Sequence, residues 1–251
     1  MPQTFVTNAV VNAIRDLPDF PNLTVLDLSC GEGEVLARLV AAGCQAQGTH
    51  YRQDDYIIRD RTRLAPLAVT GGVDLQRPLP FEDAAFDVVL LTEVLEHLES
   101  HFNVLHEAGR VLRSGGHLVL STPNIFRLHS RLQFFLSGKH KLIRRRVGWD
   151  LPADELYAYH INPVDFPLLH TVLHQSGFRL EQLRFTRFKF KSVFFLPLWP
   201  LVWLSTRLTV DAGVRGPGMF RDGERDLNRW LTHPALLYSE QLLGVAQRSA
   251  R

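Results

Sequence analysis

The sequence predicts a doubly wound α/β fold: a seven-stranded, mostly parallel sheet with an apolar and basic cap. Three observations predict it. Short apolar runs bounded by turn residues alternate with helical patterns of about ten residues or more. A glycine-bearing turn, "VLDLSCGEG" (25–33), joins the first of these strands to a helix. Two segments, one basic and one apolar, interrupt the alternation. A chain of 251 residues suits one large domain with an insertion.

The elements follow in order. Val6, Ala9, Val10, Ala13 and Ile14 share a helical face over about residues 5–16. "TVLDL" (24–28) is a buried strand, and "GEVLARLVAAG" is a helix closed by Gly43. "QAQGTHY" (45–51), "PLAVT" (66–70) and "AFDVVLLT" (85–92) are the next three strands. "EVLEHLESHFNVLHEAGRVLR" (93–113) reads as one helix, followed by a glycine turn and a fifth strand in "SGGHLVLSTPN". "VDFPLLHTVLHQSGF" is a helix, "FRLEQLRFT" a sixth strand and "SEQLLGVAQR" a last one. The expected division is a core of residues 1–186 with 239–251, containing a basic insertion over 124–162, and an apolar cap over 187–238.

Composition narrows the setting. A net charge of +2 names no partner. Cys30 and Cys44 form no C-x-x-C, which argues against a disulfide framework or cysteine zinc site and for a reducing cytoplasm. Arg15 and Asp16 fall where a secretion signal would need apolar residues, so none is read.

The turn after the first strand presents Asp27, Ser29, Gly31 and Gly33 just before a helix. Glycines there let a ligand approach the main chain, and the helix start favours a carboxylate or phosphate. Further along, Glu93, Glu96 and His97 stand at i, i+3 and i+4, which puts them on one face of the expected helix. Two carboxylates and an imidazole suit a divalent cation such as Mg²⁺ or Zn²⁺.

Together with "VDLQRPLPFEDAAFDVVLLTEVLEHLES" and "AGRVLRSGGHLVLSTPN", the turn resembles motif I and its sequels in class I S-adenosylmethionine-dependent methyltransferases, over about residues 20–186 and the last strand. The resemblance implies a Rossmann-like fold and S-adenosylmethionine as cofactor. It implies that Asp27 anchors the loop and the cofactor's amino group, with Ser29, Gly31 and Gly33 beneath it. Ser29 replaces a usual glycine, and fits if its φ is negative. His50 stands where the family has a ribose-binding acid, with Asp54 or Asp55 as a further contact. Asp74 and Leu75 fall at the adenine position, and Thr92 and Glu93 line the cofactor. The E-x-x-E-H stretch resembles ubiquinone-pathway O-methyltransferases and small-RNA 2′-O-methyltransferases. There Glu93, Glu96, His97 and a distant histidine, here His160, would hold a metal near the acceptor hydroxyl. Without a metal, His97 or His160 would be the general base.

From Gly109 to Trp149 there is no Asp or Glu, and the run holds Arg127, Arg131, Lys139, Lys141, Arg144, Arg145 and Arg146 among apolar residues. "SVFFLPLWPLVWLST" (192–206) is uncharged, contains Trp199 and Trp203, and is too short to span a bilayer. These segments suit an anionic surface, and the layout resembles methyltransferases of bacterial envelope glycan and lipid pathways. The reading is O-methylation of a glycan or lipid-linked acceptor at the cytoplasmic membrane face, with peripheral contact to anionic lipid. A quinone-type O-methyltransferase and a non-catalytic binding protein of the same fold are the alternatives. The tryptophan-rich segment disfavours nucleic acid.

Overall fold

The computed structural model describes residues 4–51, 66–140, 159–188, 190–213 and 221–249. Seven strands form one sheet in the order β3-β2-β1-β4-β5-β7-β6. They are β1 (Thr24–Asp27), β2 (Gln45–Thr49), β3 (Ala68–Thr70), β4 (Phe86–Thr92), β5 (Leu112–Pro123), β6 (Phe178–Leu183) and β7 (Gln241–Arg248). All neighbours run parallel except β7, which is antiparallel to both β5 and β6. The central strands point their side chains to alternate faces. Leu26, Val89, Leu91, Leu118 and Leu120 enter one core, and Val25, Val88, Leu90 and Val119 enter the other.

Helices close both faces, as strands buried on both sides require. Helix α1 (Thr4–Arg15) and α2 (Glu34–Ala41) supply Val6, Val10, Ile14, Val35 and Leu39 to the smaller core. Helix α3 (His101–Val111) and α5 (Phe166–Gln175) supply Val104, Leu105, Ala108, Leu169, Val172 and Leu173 to the larger one. Asp165 caps α5, its carboxylate accepting from the Leu168 amide at 2.8 Å.

The two interrupting segments are largely helical among the described residues. Helix α4 (Leu128–Ser137) lies in the basic run. The apolar segment forms a 3-10 stretch (Phe190–Leu198), α6 (Trp199–Gly213), α7 (Arg221–Leu231) and α8 (Pro234–Tyr238). Trp230, Ala235 and Leu236, from the expected cap, are buried in the larger core. No helix among the described residues is long and apolar enough to cross a membrane. Cys30 and Cys44 are free thiols.

Strand order reverses beside β1: its connection leads to β2 on one side, whereas β4 lies on the other. Open α/β sheets bind ligands at the carboxyl ends of the strands at such a point. The ends of β1 and β4 therefore frame the site.

Candidate functional site

β1 ends on Asp27, and the chain turns into α2 through three left-handed residues: Ser29 (φ 63°), Gly31 (φ 55°) and Gly33 (φ 71°). The turn is pinned to the end of β2. The Ser29 amide donates to Thr49 Oγ1 and the Cys30 amide to the Thr49 carbonyl, both at 3.0 Å. These bonds hold Ser29 in the region that favours glycine, which corrects the expectation of a negative φ. The strain is about 1–2 kcal/mol for a residue with a Cβ. Gly48 lets the turn approach: a Cβ there would stand 2.7 Å from Cys30 Sγ. A Cβ on Gly31 would meet nothing within 4 Å, so its main chain faces open space.

Asp27 is only 2% exposed, and its Oδ1 has no hydrogen-bond partner. Burial pushes its carboxyl up to about 7. An unsatisfied carboxylate oxygen under an open main-chain turn fits a ligand bearing an ammonium group.

His50 follows β2 and is buried, with Nε2 3.7 Å from Cys30 Sγ. Its amide donates to the Thr70 carbonyl and its carbonyl accepts from the Val73 amide, which ties it to the Asp74 turn. Asp74 caps that turn: Oδ1 accepts from the Gln76 amide at 2.9 Å, and Oδ2 lies 3.4 Å from Arg77 Nε. Leu75 is buried in the larger core. Asp54 and Asp55 lie outside the described residues.

At the end of β4, Thr92 carries a buried Oγ1 without a hydrogen-bond partner. Glu93 then takes a left-handed φ of 56°, its amide donating to the Ser121 carbonyl. Both carboxylate oxygens are engaged: Ser121 Oγ donates to Oε1 at 3.0 Å and Gln241 Nε2 to Oε2 at 2.9 Å. Burial pushes this carboxyl up to about 7.

The expected helix over 93–113 begins only at His101; a 3-10 turn spans Leu95–His97. Glu93, Glu96 and His97 thus do not share a helical face, because the left-handed Glu93 turns its side chain back onto β5 and β7. Glu93 is also absent from the group that could hold a metal. Among the described residues that group is Glu96, His97 and His160, with one ligand atom each, all within 4.8 Å of one another.

This trio is built by a crossing segment. The His97 ring Nδ1 lies 3.0 Å from the Tyr159 carbonyl. A carbonyl only accepts, so Nδ1 is the donor in this contact. The Asn162 amide donates to the Glu96 carbonyl at 3.1 Å, and its side chain donates to the carbonyls of Leu98 and Glu99. His160 is thereby set against His97, ring centroids 4.8 Å apart and nearly perpendicular at 81°. Glu96 is 1% exposed; Thr122 Oγ1 donates to its Oε2 at 2.9 Å. Its Oε1 has no hydrogen-bond partner and lies 4.0 Å from His160 Nε2. Burial, and then the charge of Glu93, hold the Glu96 carboxyl well above its usual range.

The supporting residues Ser121, Thr122, Tyr159, Asn162 and Gln241 escape sequence reasoning. Two hydroxyls closing an apolar strand were a usable signal for Ser121 and Thr122. Tyr159 acts through its carbonyl, and Gln241 is 148 positions from Glu93, so neither has a local signature.

The sheet order, the glycine turn under an open main chain and the acid at its start are those of the class I S-adenosylmethionine-dependent methyltransferase fold, and the comparisons support that class. Residues 26–120 match the methyltransferase domain family. A probable S-adenosylmethionine-dependent methyltransferase of Mycolicibacterium smegmatis is 29% identical over 157 residues, 62% of this chain and 52% of that protein. The ubiquinone biosynthesis O-methyltransferase of Hydrogenovibrio crunogenus is 28% identical over 45% of this chain and 48% of its own length. The chain therefore spans about half the length of these relatives. A crystal structure of a SAM-dependent methyltransferase from Archaeoglobus fulgidus superposes with a TM-score of 0.58 at 18% identity, covering 97% of this chain and 93% of that one.

Proposed function

We propose that the protein transfers a methyl group from S-adenosylmethionine to a hydroxyl oxygen of a glycan or lipid-linked acceptor. The cofactor, when bound, supplies an electrophilic methyl group on sulfonium sulfur. Asp27 receives its ammonium group, the main chain of Ser29–Gly33 lies beneath it and His50 meets the ribose. Asp74 and Leu75 flank the adenine, while Thr92 and Glu93 close the end of β4. His97 and His160 serve the acceptor.

The observation that carries the oxygen acceptor is the orientation of His97. Nδ1 donates to the Tyr159 carbonyl, which fixes the plane of the ring beside Glu96 and His160. An attacking hydroxyl must lose its proton, and Nε2 takes it. Glu96 and His160 each place one polar side-chain atom within 4.8 Å of one on the imidazole. Glu96, His97 and His160 also have the donor types for a divalent cation, Mg²⁺ or Zn²⁺, which would orient and acidify the same hydroxyl.

Incubating the protein with methyl-labelled cofactor and envelope lipid or glycan extracts tests this. The expected label is an O-methyl ether, lost in His97→Ala. Label on nitrogen would overturn the reading. Chelator treatment followed by Mg²⁺ or Zn²⁺ decides the metal: activity must fall and return, and full activity in chelator removes the cation. The similarity to a ubiquinone-pathway O-methyltransferase favours a second acceptor, a prenylated phenol. Turnover of a prenylated catechol in place of extract glycans would select it.

A further inference from the structure

The described surface has one concentration of outward apolar side chains that the proposed methyl transfer does not use. Among the large hydrophobic residues described, all those more than 60% exposed lie on α4, the 190–198 stretch and α6: Phe135 (84%), Phe194 (76%), Leu136 (73%), Leu201 (64%) and Leu208 (62%). The elements adjoin one another. The His129 ring of α4 lies 5.8 Å from that of Phe195, and Phe195 and Val202 pack on Leu128 and Tyr238. Those inner contacts fix the platform, so the exposed side chains project from it. Such exposure is costly in water and marks a docking surface.

In sequence, the segments that carry it have one sign of charge, although α7, which packs on α6, holds Asp222, Glu224 and Asp226. Residues 114–149 and 185–210, which contain α4, the 190–198 stretch and most of α6, hold eleven Lys and Arg and no Asp or Glu. The remainder of the chain holds 17 Lys and Arg against 26 Asp and Glu. Lys139 and Arg207 are exposed on this side, and Arg207 sits over the Trp203 ring at 5.2 Å. Trp199 and Trp203 are 40% and 38% exposed, partly covered side chains of the kind found at membrane–water boundaries.

We infer that α4 and the 190–208 platform form a peripheral anchor that seats the protein on an anionic lipid bilayer. The tips of Phe135, Leu136, Phe194, Leu201 and Leu208 enter the acyl boundary, and the basic residues meet the headgroups. The aliphatic tips Leu136, Leu201 and Leu208 gain nothing by stacking on bases, which favours lipid over nucleic acid. Seating reads binding and not turnover, so its failure leaves the proposed activity untouched.

Sedimentation with phosphatidylcholine vesicles, with and without phosphatidylglycerol as about a third of the lipid, tests the anchor. The full chain is expected to pellet with the anionic vesicles and at least about tenfold more weakly with neutral ones or in high salt. Phe135→Glu with Phe194→Glu is expected to weaken binding at least about tenfold. Brominated acyl chains are expected to quench the wild-type tryptophan emission, a readout that needs no variant to fold. Absence of pelleting, equal binding to neutral vesicles, or a folded double variant that binds like wild type would overturn the anchor. A vesicle-independent dimer dissolved by the same substitutions would give the surface to a second copy and overturn it too.

Discussion

The carboxyl ends of β1 and β4 lie side by side, with Asp27 in register with Leu90. They share a plan. Each strand ends near a buried carboxylate held up to about 7, and each turn contains a left-handed residue other than glycine, Ser29 and Glu93. They differ in what the carboxylate meets. Glu93 spends both oxygens on Ser121 and Gln241, whereas Asp27 keeps Oδ1 without a partner under an open main chain. A carboxylate with both oxygens bonded braces its turn, and one with an oxygen unpartnered suits a ligand's ammonium group. In the proposed reading the β4 end braces the Glu96, His97 and His160 group, and the β1 end receives the cofactor.

The largest expected effect separates the two ends. His97→Ala is expected to lower kcat by about 10²–10⁴-fold, as loss of a general base does, and to leave cofactor affinity unchanged in calorimetry. Equal losses in both would erase the distinction. Asp27→Asn is expected to do the reverse, weakening cofactor binding by about 10–100-fold through loss of a charge-assisted hydrogen bond. A variant with native affinity would remove Asp27 from the cofactor site.

Proton linkage sharpens the same contrast. In the ligand-free protein Asp27 and Glu93 are both raised from the ordinary carboxylate range to about 7. The folded state holds these protons more tightly than the unfolded one, so their contribution to stability falls as pH rises from about 4 to about 7. A cofactor ammonium favours ionised Asp27. Binding is therefore expected to release a proton near pH 6 and to strengthen about tenfold between pH 6 and 8. Chemical denaturation across this range, and titrations in buffers of different ionisation enthalpy, measure the two effects.

The smallest effect concerns backbone strain. Ser29→Gly relieves a left-handed φ and costs some unfolded-state entropy, for a net gain of about 0.5–1 kcal/mol and a Tm raised by roughly 1–4 °C. A lower Tm would mean that the serine side chain stabilises the turn.

What could be read from the residues follows the same division. The strands were legible because each is a short apolar run whose neighbours point to opposite cores, and the β1 turn because glycines and an acid are local. The sign of φ at Ser29 was not, since it is imposed by Thr49, twenty residues on. The 93–113 segment has helical periodicity, yet Glu93 is drawn out of it by Ser121 and Gln241, and Asn162 binds the carbonyls of Leu98 and Glu99. Tertiary hydrogen bonds outweighed a local propensity. Glu96, His97 and His160 lie together through the crossing segment and not through a shared helical face.

Titrating the full chain with S-adenosylmethionine by calorimetry at pH 6 and pH 8 tests the central claim, that the β1 turn and Asp27 form the cofactor cradle. The account requires saturable binding that is tighter at pH 8, with the pH dependence abolished in Asp27→Asn. Absence of binding at either pH, or an affinity indifferent both to pH and to residue 27, would contradict it and leave the fold a binding scaffold.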